Sequence, residues 1–533
     1  MRYLRYVPLT LVILCIPLGL ALSAASPFLG GLLSGVALLA AAVGIYDLLQ
    51  VNHAVLKNYP LTARLRFLLE GIRPEIRQYF LESDNDEVPY SREQRALVYR
   101  RAKGLEGLRP FGTLLNVHQI GHEWINHSIA PSKVESDDFR VRIGGPGCTK
   151  AYESSVLNIS GMSYGALSPN AILSLNQGAR NGGFAHTTGE GSISRFHREP
   201  GGDLIWQVGS GYFGCRDATG GFSPERFAEQ ATTDQVKMIE IKLSQGAKPG
   251  HGGILLGPKV TEFIAEARGI PIGVDCISPS RHSAFSTPLE LMAFIERVRE
   301  LAGGKPVGIK LCVGHPWELF AIGKAMIETG LTPDFITVDG AEGGTGAAPV
   351  EFADHAGAPL REGLMLVHNT LVGLGLRERI RVIASGKLVS GFDIARTFAL
   401  GADACNMARA FMFAIGCIQA QTCHTGKCPT GVTSQDPGRY RALVVAEKHK
   451  RVANFHANTL RALREVVEAC GLHHPAEFTP QHLMIRINSR EVRSAASQYD
   501  WLEPDALVSG QVRHPAFAKF WDMARPDSFV AAV

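Results

Sequence analysis

Apolar and polar positions follow three successive rhythms along this chain. The first is almost pure apolarity: no charged residue occurs from Tyr6 to Tyr46, a run of 41 positions. Two apolar stretches of about 20 residues each suffice to cross a hydrocarbon core of ~30 Å. Ser26-Pro27 divides the run where a hairpin turn belongs, which predicts membrane helices over 7–25 and 28–46. From 52 to about 130 the spacing becomes helical and amphipathic. Leu65, Leu68, Leu69 and Ile72 share one face while Arg64, Glu70 and Arg73 take others, and the acidic, proline-containing stretch 82–89 interrupts the pattern. From about 154, short β-rich apolar runs alternate with helical stretches. Candidate strands are 156–160, 184–187, 238–243, 273–277, 307–311, 335–338, 381–384 and 404–407, with helices near 170–182, 258–268, 288–302, 318–330, 364–376 and 391–400. Eight alternating βα units in one domain-sized stretch predict an α/β fold, a closed (β/α)8 TIM barrel rather than an open doubly wound sheet. No G-x-G-x-x-G opens the first strand and no P-loop occurs, which weakens the open-sheet nucleotide readings. A long helical pattern over 439–470 and a mixed tail follow. The expected organisation is two transmembrane helices (1–51), a helical collar (52–150), the barrel with a cysteine loop at 416–432 (151–436), and a C-terminal helical extension (437–533).

Charge sharpens the N-terminal reading. The 533 residues carry 54 Lys and Arg against 50 Asp and Glu, a net +4. Thirteen basic and nine acidic residues precede Phe111, so the whole excess lies there and the remaining chain is neutral. Arg2 and Arg5 precede the first span, and Lys57, Arg64, Arg66, Arg73 and Arg77 follow the second. The positive-inside rule then places both ends in the cytoplasm, with the catalytic part facing the cytosol at the cytoplasmic membrane. A signal peptide cut near Ala21-Leu22-Ser23 is the rival, but it leaves a second uncharged span unexplained; a buried helical hairpin is the other alternative. With 45% hydrophobic and 20% charged residues, neither a disordered chain nor a nucleic-acid binder is expected.

Barrel enzymes build their sites at the C-terminal ends of the strands. Here those ends carry Met162-Ser163, Thr188-Gly189-Glu190, Lys242 with Gln245 and Lys248, Ser278 to His282, Lys310, Asp339 with Gly343-Gly344-Thr345, Ser385-Gly386 and Ala408-Arg409. Glycine-rich turns let backbone N–H groups approach phosphate oxygens, and the loops after the last strands form the usual barrel phosphate site. Lys310, inside a strand, needs an anionic partner if buried; the N1/O2 edge of a reduced flavin would supply one. Flavin or another phosphate-bearing ligand is therefore expected, against the plainer reading of ordinary tight turns.

Cys417, Cys423 and Cys428 form a C-x5-C-x4-C pattern ending in Cys-Pro. Clustered thiolates in a cytosolic chain more often ligate metal than form disulfides. Three thiolates match neither a four-thiolate zinc site nor ordinary four-thiolate clusters, which suggests a three-iron cluster unless Cys405 or another cysteine supplies a fourth ligand. His424 either completes a zinc site of three thiolates and one imidazole or is simply a polar residue of the loop. The other cysteines are scattered and read as core thiols.

Five motifs carry a resemblance. They are M-S-Y-G-A-L-S at 162–168, N-Q-G-A-R-N-G-G-F-A-H-T-T-G-E-G at 176–191, I-K-L-S-Q-G-A-K-P-G-H-G-G at 241–253, D-G-A-E-G-G-T-G-A-A-P at 339–349 and G-C-I-Q-A-Q-T-C-H-T-G-K-C-P-T-G-V at 416–432. In this order they resemble the FMN-binding domain of glutamate synthase large subunits, and with the two spans the chain is most similar to stand-alone, membrane-anchored glutamate synthase-like proteins. The resemblance implies a barrel that binds FMN and a [3Fe–4S] cluster and reduces 2-iminoglutarate, formed from 2-oxoglutarate and ammonia, to L-glutamate. It implies Met162 and Ser163 along the flavin, Lys310 at its pyrimidine edge, and Gly343, Gly344, Thr345, Ser385, Gly386, Ala408 and Arg409 around its phosphate. Ala408 and Arg409 sit in N-M-A-R-A, which departs from the family's small residues. Lys242, Gln245, Lys248 and Arg268 would hold the oxo-acid carboxylates, with Glu190 and Lys242 catalytic and Cys417, Cys423 and Cys428 on the cluster. Neither a Cys-nucleophile glutaminase domain nor a β-helical domain is expected, so ammonia is free or comes from a separate amidotransferase subunit. The electron donor is open, a ferredoxin or a reductase subunit, and membrane lipid surrounds the anchor. At S-P-S-R-H-S-A-F-S (278–286) Arg281 and His282 replace the family's prolines and histidines beside the substrate pocket, which opens other substrates such as N-methylglutamate. A membrane electron-transfer protein without turnover is the reading from a different class.

Overall fold

The computed structural model describes residues 4–84, 89–105, 107–510, 512 and 514–532; Arg2 and positions 85–88 of the acidic stretch lie outside them. The chain divides into two units, Met1–Arg92 and Glu93–Val533.

In the first unit, helices Val7–Leu22 and Pro27–Leu49 pack as a hairpin. Gly30, Ser34, Ala37, Ala41, Gly44 and Asp47 recur every three or four positions and are the buried residues of the second helix, so small side chains line the seam. A Cβ on Gly30 would come within 2.3 Å of Ser23 N. By length and composition the helical stretches Leu4–Leu22, which includes the short turn before the first helix, and Pro27–Leu49 suffice to cross a membrane. At the end of the second, the fully buried Asp47 carboxylate accepts from Arg64 at 2.6 Å and from Leu61 N at 3.1 Å. This pair ties the hairpin to the amphipathic helix Thr62–Ile76. The helical expectation for 52–130 ends at Ala102: the following segment is irregular, and Glu123–Ile125 is a strand paired with Leu483–Arg486.

The second unit is a closed eight-stranded parallel barrel. Its strands are β1 (Leu157–Ile159), β2 (His186–Thr187), β3 (Leu204–Val208), β4 (Val236–Lys242), β5 (Val307–Leu311), β6 (Phe335–Asp339), β7 (Arg381–Ser385) and β8 (Ala404–Met407), with β8 pairing β1 to close the ring. One expected strand is wrong. Residues 273–277 stay outside the barrel, where Cys276–Ile277 pairs antiparallel with Ile254–Leu255. Val274 and Ile277 are exposed there, whereas every residue of β3, the strand that takes the vacant place, is buried. Barrel strands are covered on both faces, and only the L-I-W-Q-V run meets that demand.

Helices Pro169–Gly182, Pro224–Ala231, Pro288–Leu301, Pro316–Thr329, Leu360–Gly373 and Gly391–Ala399 cover the outside. Several begin with a Ser or Thr side chain accepting from the N3 amide and a proline at the first turn, as in Ser168-Pro169 and Thr287-Pro288. An antiparallel hairpin, Arg140–Ile143 with Tyr152–Ser155, plugs the lower mouth. Ile143 packs there with Ala185, Ile205, Met238, Phe335, Ile383 and Ala404, near the beginnings of the strands. The opposite mouth, where the strands end, is left for polar residues. Beyond the barrel, the long helix Val445–Ala469 packs on Pro169–Gly182 and Gly391–Ala399, and the tail mixes short strands with the helix Pro515–Met523.

Candidate active site

Two groups of side chains face the upper mouth. The first comes from β2 and β4. Lys242 Nζ lies 3.1 Å from Glu190 Oε2 and donates to Gln245 Oε1 at 2.7 Å. With Lys248 they line a cleft that also includes Ser210, His251, Gly253 and Ser280. Glu190 is wedged between Gly209 and Gly253, where a Cβ would approach its carboxylate oxygens to 3.1 and 2.7 Å. The glycines are the room the carboxylate occupies. Burial alone would raise the Glu190 carboxyl, but Lys242, Arg268 and Lys248 together hold it below the usual carboxylate range, so it stays ionised. Lys248, by contrast, is lowered by burial despite Glu190.

Arg268 is placed differently from its expected neighbours. It closes the short helix Glu262–Arg268, is buried, lies over the Phe213 ring at 5.1 Å, and donates from Nη2 to Tyr164 O at 3.0 Å. It acts on Glu190 electrostatically but is not among the residues lining the cleft.

The second group comes from β6, β7, β8 and β1. Arg409 Nη2 donates to Thr345 O at 2.7 Å and its guanidinium fills the space where Gly344 would carry a Cβ. The Ser385 and Ser160 hydroxyls meet at 3.3 Å, and Gly386 follows directly. The Met162-Ser163 turn is approached by Gly189 so closely that a Cβ there would stand 2.4 Å from Ser163 N, at a backbone φ of 71°. Gly343 folds back on Gly340 O, and Ala408 precedes the short helix Arg409–Ala414.

Lys310 joins the two groups and is not a lone buried charge. The buried ammonium already has protein counter-charges: Asp339 Oδ2 stands 3.4 Å away and Glu240 adds to it. Burial disfavours its charge, but these carboxylates outweigh burial and leave its pKa raised. A flavin is therefore not needed to neutralise it. Gln207 Nε2 donates to Glu240 Oε2 at 2.5 Å, and Gly246 N donates to Asp339 Oδ2 at 2.9 Å, which extends the network from β3 to β6. Sequence reasoning missed Gln207 and Glu240. The available signal was strand period two: Glu240 stands two positions before Lys242 and so faces the same way. Thr337 Oγ1, in register with Lys310, is buried without a partner.

His282, expected near the substrate pocket, is a buried brace. Its Nε2 donates to Lys242 O at 2.9 Å, which leaves Nδ1 to accept from Tyr212 OH at 3.0 Å. Tyr212 OH in turn accepts from Ala284 N. Burial lowers the His282 pKa to about 4, so the ring stays neutral. Arg281 is exposed, while Pro279 and Ser280 of the same loop line the cleft.

Cys417, Cys423 and Cys428 line one pocket with Met412, Thr430 and Thr433. Burial would raise the Cys428 thiol, but hydrogen bonds from Thr430 and Thr433 bring it down, whereas burial pushes Cys417 up to about 11. Lys259 Nζ reaches Cys423 O at 3.3 Å. Among the described residues, no three His, Cys, Asp or Glu groups are grouped as they would be around a single metal ion.

Fold and site together define a (β/α)8 enzyme with lysine side chains at its upper mouth and a thiol-lined pocket beside its last strand. Residues 147–473 match the family model described as the conserved region in glutamate synthase. A glutamate synthase large subunit-like protein of Bacillus subtilis, YerD, is 38% identical over 501 residues, covering 86% of this chain and 95% of the relative. An archaeal-type glutamate synthase (NADPH) of Thermotoga neapolitana is 36% identical over 312 residues, 58% of each chain. An archaeal glutamate synthase (NADPH) of Methanocaldococcus jannaschii is 34% identical over 355 residues, 66% of each chain. The match thus spans nearly all of the Bacillus relative and less than two thirds of the other two. The chain belongs to the glutamate synthase family and is an oxidoreductase.

Proposed function

We propose that this chain is a membrane-anchored oxidoreductase that aminates 2-oxoglutarate or a closely similar 2-oxo acid, with FMN and a [3Fe–4S] cluster as its redox groups. The observation that carries this reading is the Glu190–Lys242–Gln245–Lys248 cluster, which shares one barrel mouth with the glycine-rich turns after β6 and β7. A dicarboxylate needs cationic clamps. Lys242 and Lys248 supply them at the cleft, and Arg268 adds positive charge from beneath. Glu190, kept ionised, accepts a hydrogen bond from ammonia and stabilises the cationic nitrogen of the iminium formed from the oxo acid. Lys242 holds a proton at Nζ for the departing carbonyl oxygen.

The residues fit the cofactors. Lys310 and the unpartnered Thr337 hydroxyl suit a polar ring edge. Met162 and Ser163 offer a flat contact, and Gly343, Gly344, Thr345, Ser385, Gly386, Ala408 and Arg409 suit a phosphate. Three thiols in a pocket that no carboxylate lines among the described residues suit an iron–sulfur cluster better than a hard cation. When bound, FMN supplies hydride equivalents to the imine carbon and the cluster supplies single electrons. Ammonia is free or delivered by a separate amidotransferase subunit, and the electron donor is a ferredoxin or a reductase subunit.

The test is anaerobic incubation of the purified, cofactor-loaded protein with 2-oxoglutarate, ammonium and a low-potential donor, with glutamate measured by chromatography. No glutamate, with methylamine giving N-methylglutamate instead, would move the reading to a different amine. No product with any amine would favour an electron carrier without turnover. Anchoring is tested separately: the full chain should resist alkaline carbonate extraction from membranes and require detergent.

A further inference from the structure

A second pocket lies outside the barrel mouth, between the loops that follow β2, β3 and β4. Its walls include Arg195, Arg216, Arg226, Gln230, Phe263 and Glu266, and it shares no residue with the cleft around Glu190. Three guanidiniums meet there with Glu266 as the one lining carboxylate, a formal excess of two positive charges among the described residues. They are also held in place. Arg195 stacks on the Phe263 ring with its Cζ 3.5 Å from the centroid, and Arg226 Nη1 donates to Arg216 O at 3.1 Å. Stacking fixes the guanidinium plane and leaves its N–H edge free to bind a planar or tetrahedral oxyanion bidentately. Gly214 and Gly269 also line the pocket, both at positive φ and with no side chain to occupy it. The volume is about 270 Å³, at the small end of ligand pockets and concave rather than flat.

From this we propose a second anion site that takes a compact phosphorylated small molecule. A recess of this size encloses a diphosphate or a phosphate ester; an acidic protein would need a broad surface instead. One residue that lines neither pocket links the site to the proposed substrate cleft. Ala267 and Gly269 line the site, and Arg268 between them reaches Tyr164 O and acts on Glu190.

The probe is inorganic pyrophosphate, titrated calorimetrically into the full-length protein saturated with FMN, in parallel with an R195A/R226A double variant. Both residues are exposed and outside the core, so the fold should survive the change. The expected result is saturable binding, weakened by roughly tenfold or more in the double variant and by added salt, with the flavin absorbance unchanged. Three results would overturn the proposal. The first is no saturable binding, and the second is unaltered affinity in the variant. The third is release of flavin on adding pyrophosphate, which would place the anion at the barrel loops. If instead the double variant raised the KM for a protein electron donor while pyrophosphate never bound, the pocket would be a protein docking surface and the small-ligand assignment would fall.

Discussion

Lys242 serves two neighbours at once, Glu190 at 3.1 Å and Gln245 at 2.7 Å, so its loss has two effects. In a Lys242→Met variant the buried Glu190 loses its nearest counter-charge, and burial then pushes its carboxyl upward. Glu190 is ionised above its depressed pKa, so wild-type activity that depends on the carboxylate declines only below the ordinary carboxylate value of 4.5. In the variant that acid limb should move to higher pH, with KM for the oxo acid raised roughly 10- to 100-fold. Profiles of kcat/KM against pH check both; an unmoved acid limb would separate Glu190 from turnover. On the proposed cluster assignment, Cys423→Ser should remove iron and the cluster's visible absorbance while the flavin spectrum persists, as metal analysis would show. At this scale much of the site is legible from the chain, because Glu190, Lys242, Gln245 and Lys248 do converge. Arg268 was not legible in the same way. Its sequence position marks a helix end, but only packing shows the guanidinium turned to Tyr164 O.

Among the elements, the turn after β4 depends on one tight approach. A Cβ on Gly246 would stand 1.8 Å from Gly340 O, and Gly246 N is a donor to Asp339. Gly246→Ala must therefore push the β4 and β6 loops apart and loosen Asp339 from Lys310. We expect a stability loss of about 1–3 kcal/mol in denaturant titration and weaker flavin retention. The same scale shows where periodicity misleads. G-V-D-C-I at 273–277 alternates like a strand but lies in a solvent-facing hairpin, because a two-residue pairing needs no burial. L-I-W-Q-V at 204–208, framed by Gly201-Gly202 and Gly209, is the strand, and its crossover is the helix Pro224–Ala231, too short to announce itself by period. The slip moved Lys242 from the fourth strand to the third in order, yet left it at the same mouth.

For the whole molecule, five neutral histidines, four of them buried and His368 half-buried, shape the response to mild acid. Burial lowers His186 and His456 to about 3, His282 and His368 to about 4, and His197 well below the usual 6.5. Between these values and 6.5 the unfolded chain binds protons that the folded chain refuses. Their contribution is complete above pH 6.5 and shrinks as pH falls toward 4, by about 1.4 kcal/mol per pH unit for each histidine. Urea midpoints should be flat from pH 8 to 7 and drop steeply from 6 to 5; a flat profile over the whole range would contradict this. The closure of the barrel has a different consequence, one of timing. β8 pairs with β1 through Cys405 and Leu157, strands far apart in the chain, and such distant pairing is slow to form. The thiol pocket follows β8 directly and shares Met412 with the short helix that β8 feeds. On a ribosome, then, the barrel cannot seal until its last strand has emerged, and the three cysteines gain a common pocket only afterwards. For the cluster proposed above, that order sets the maturation path: polypeptide first and iron later, onto an already closed barrel.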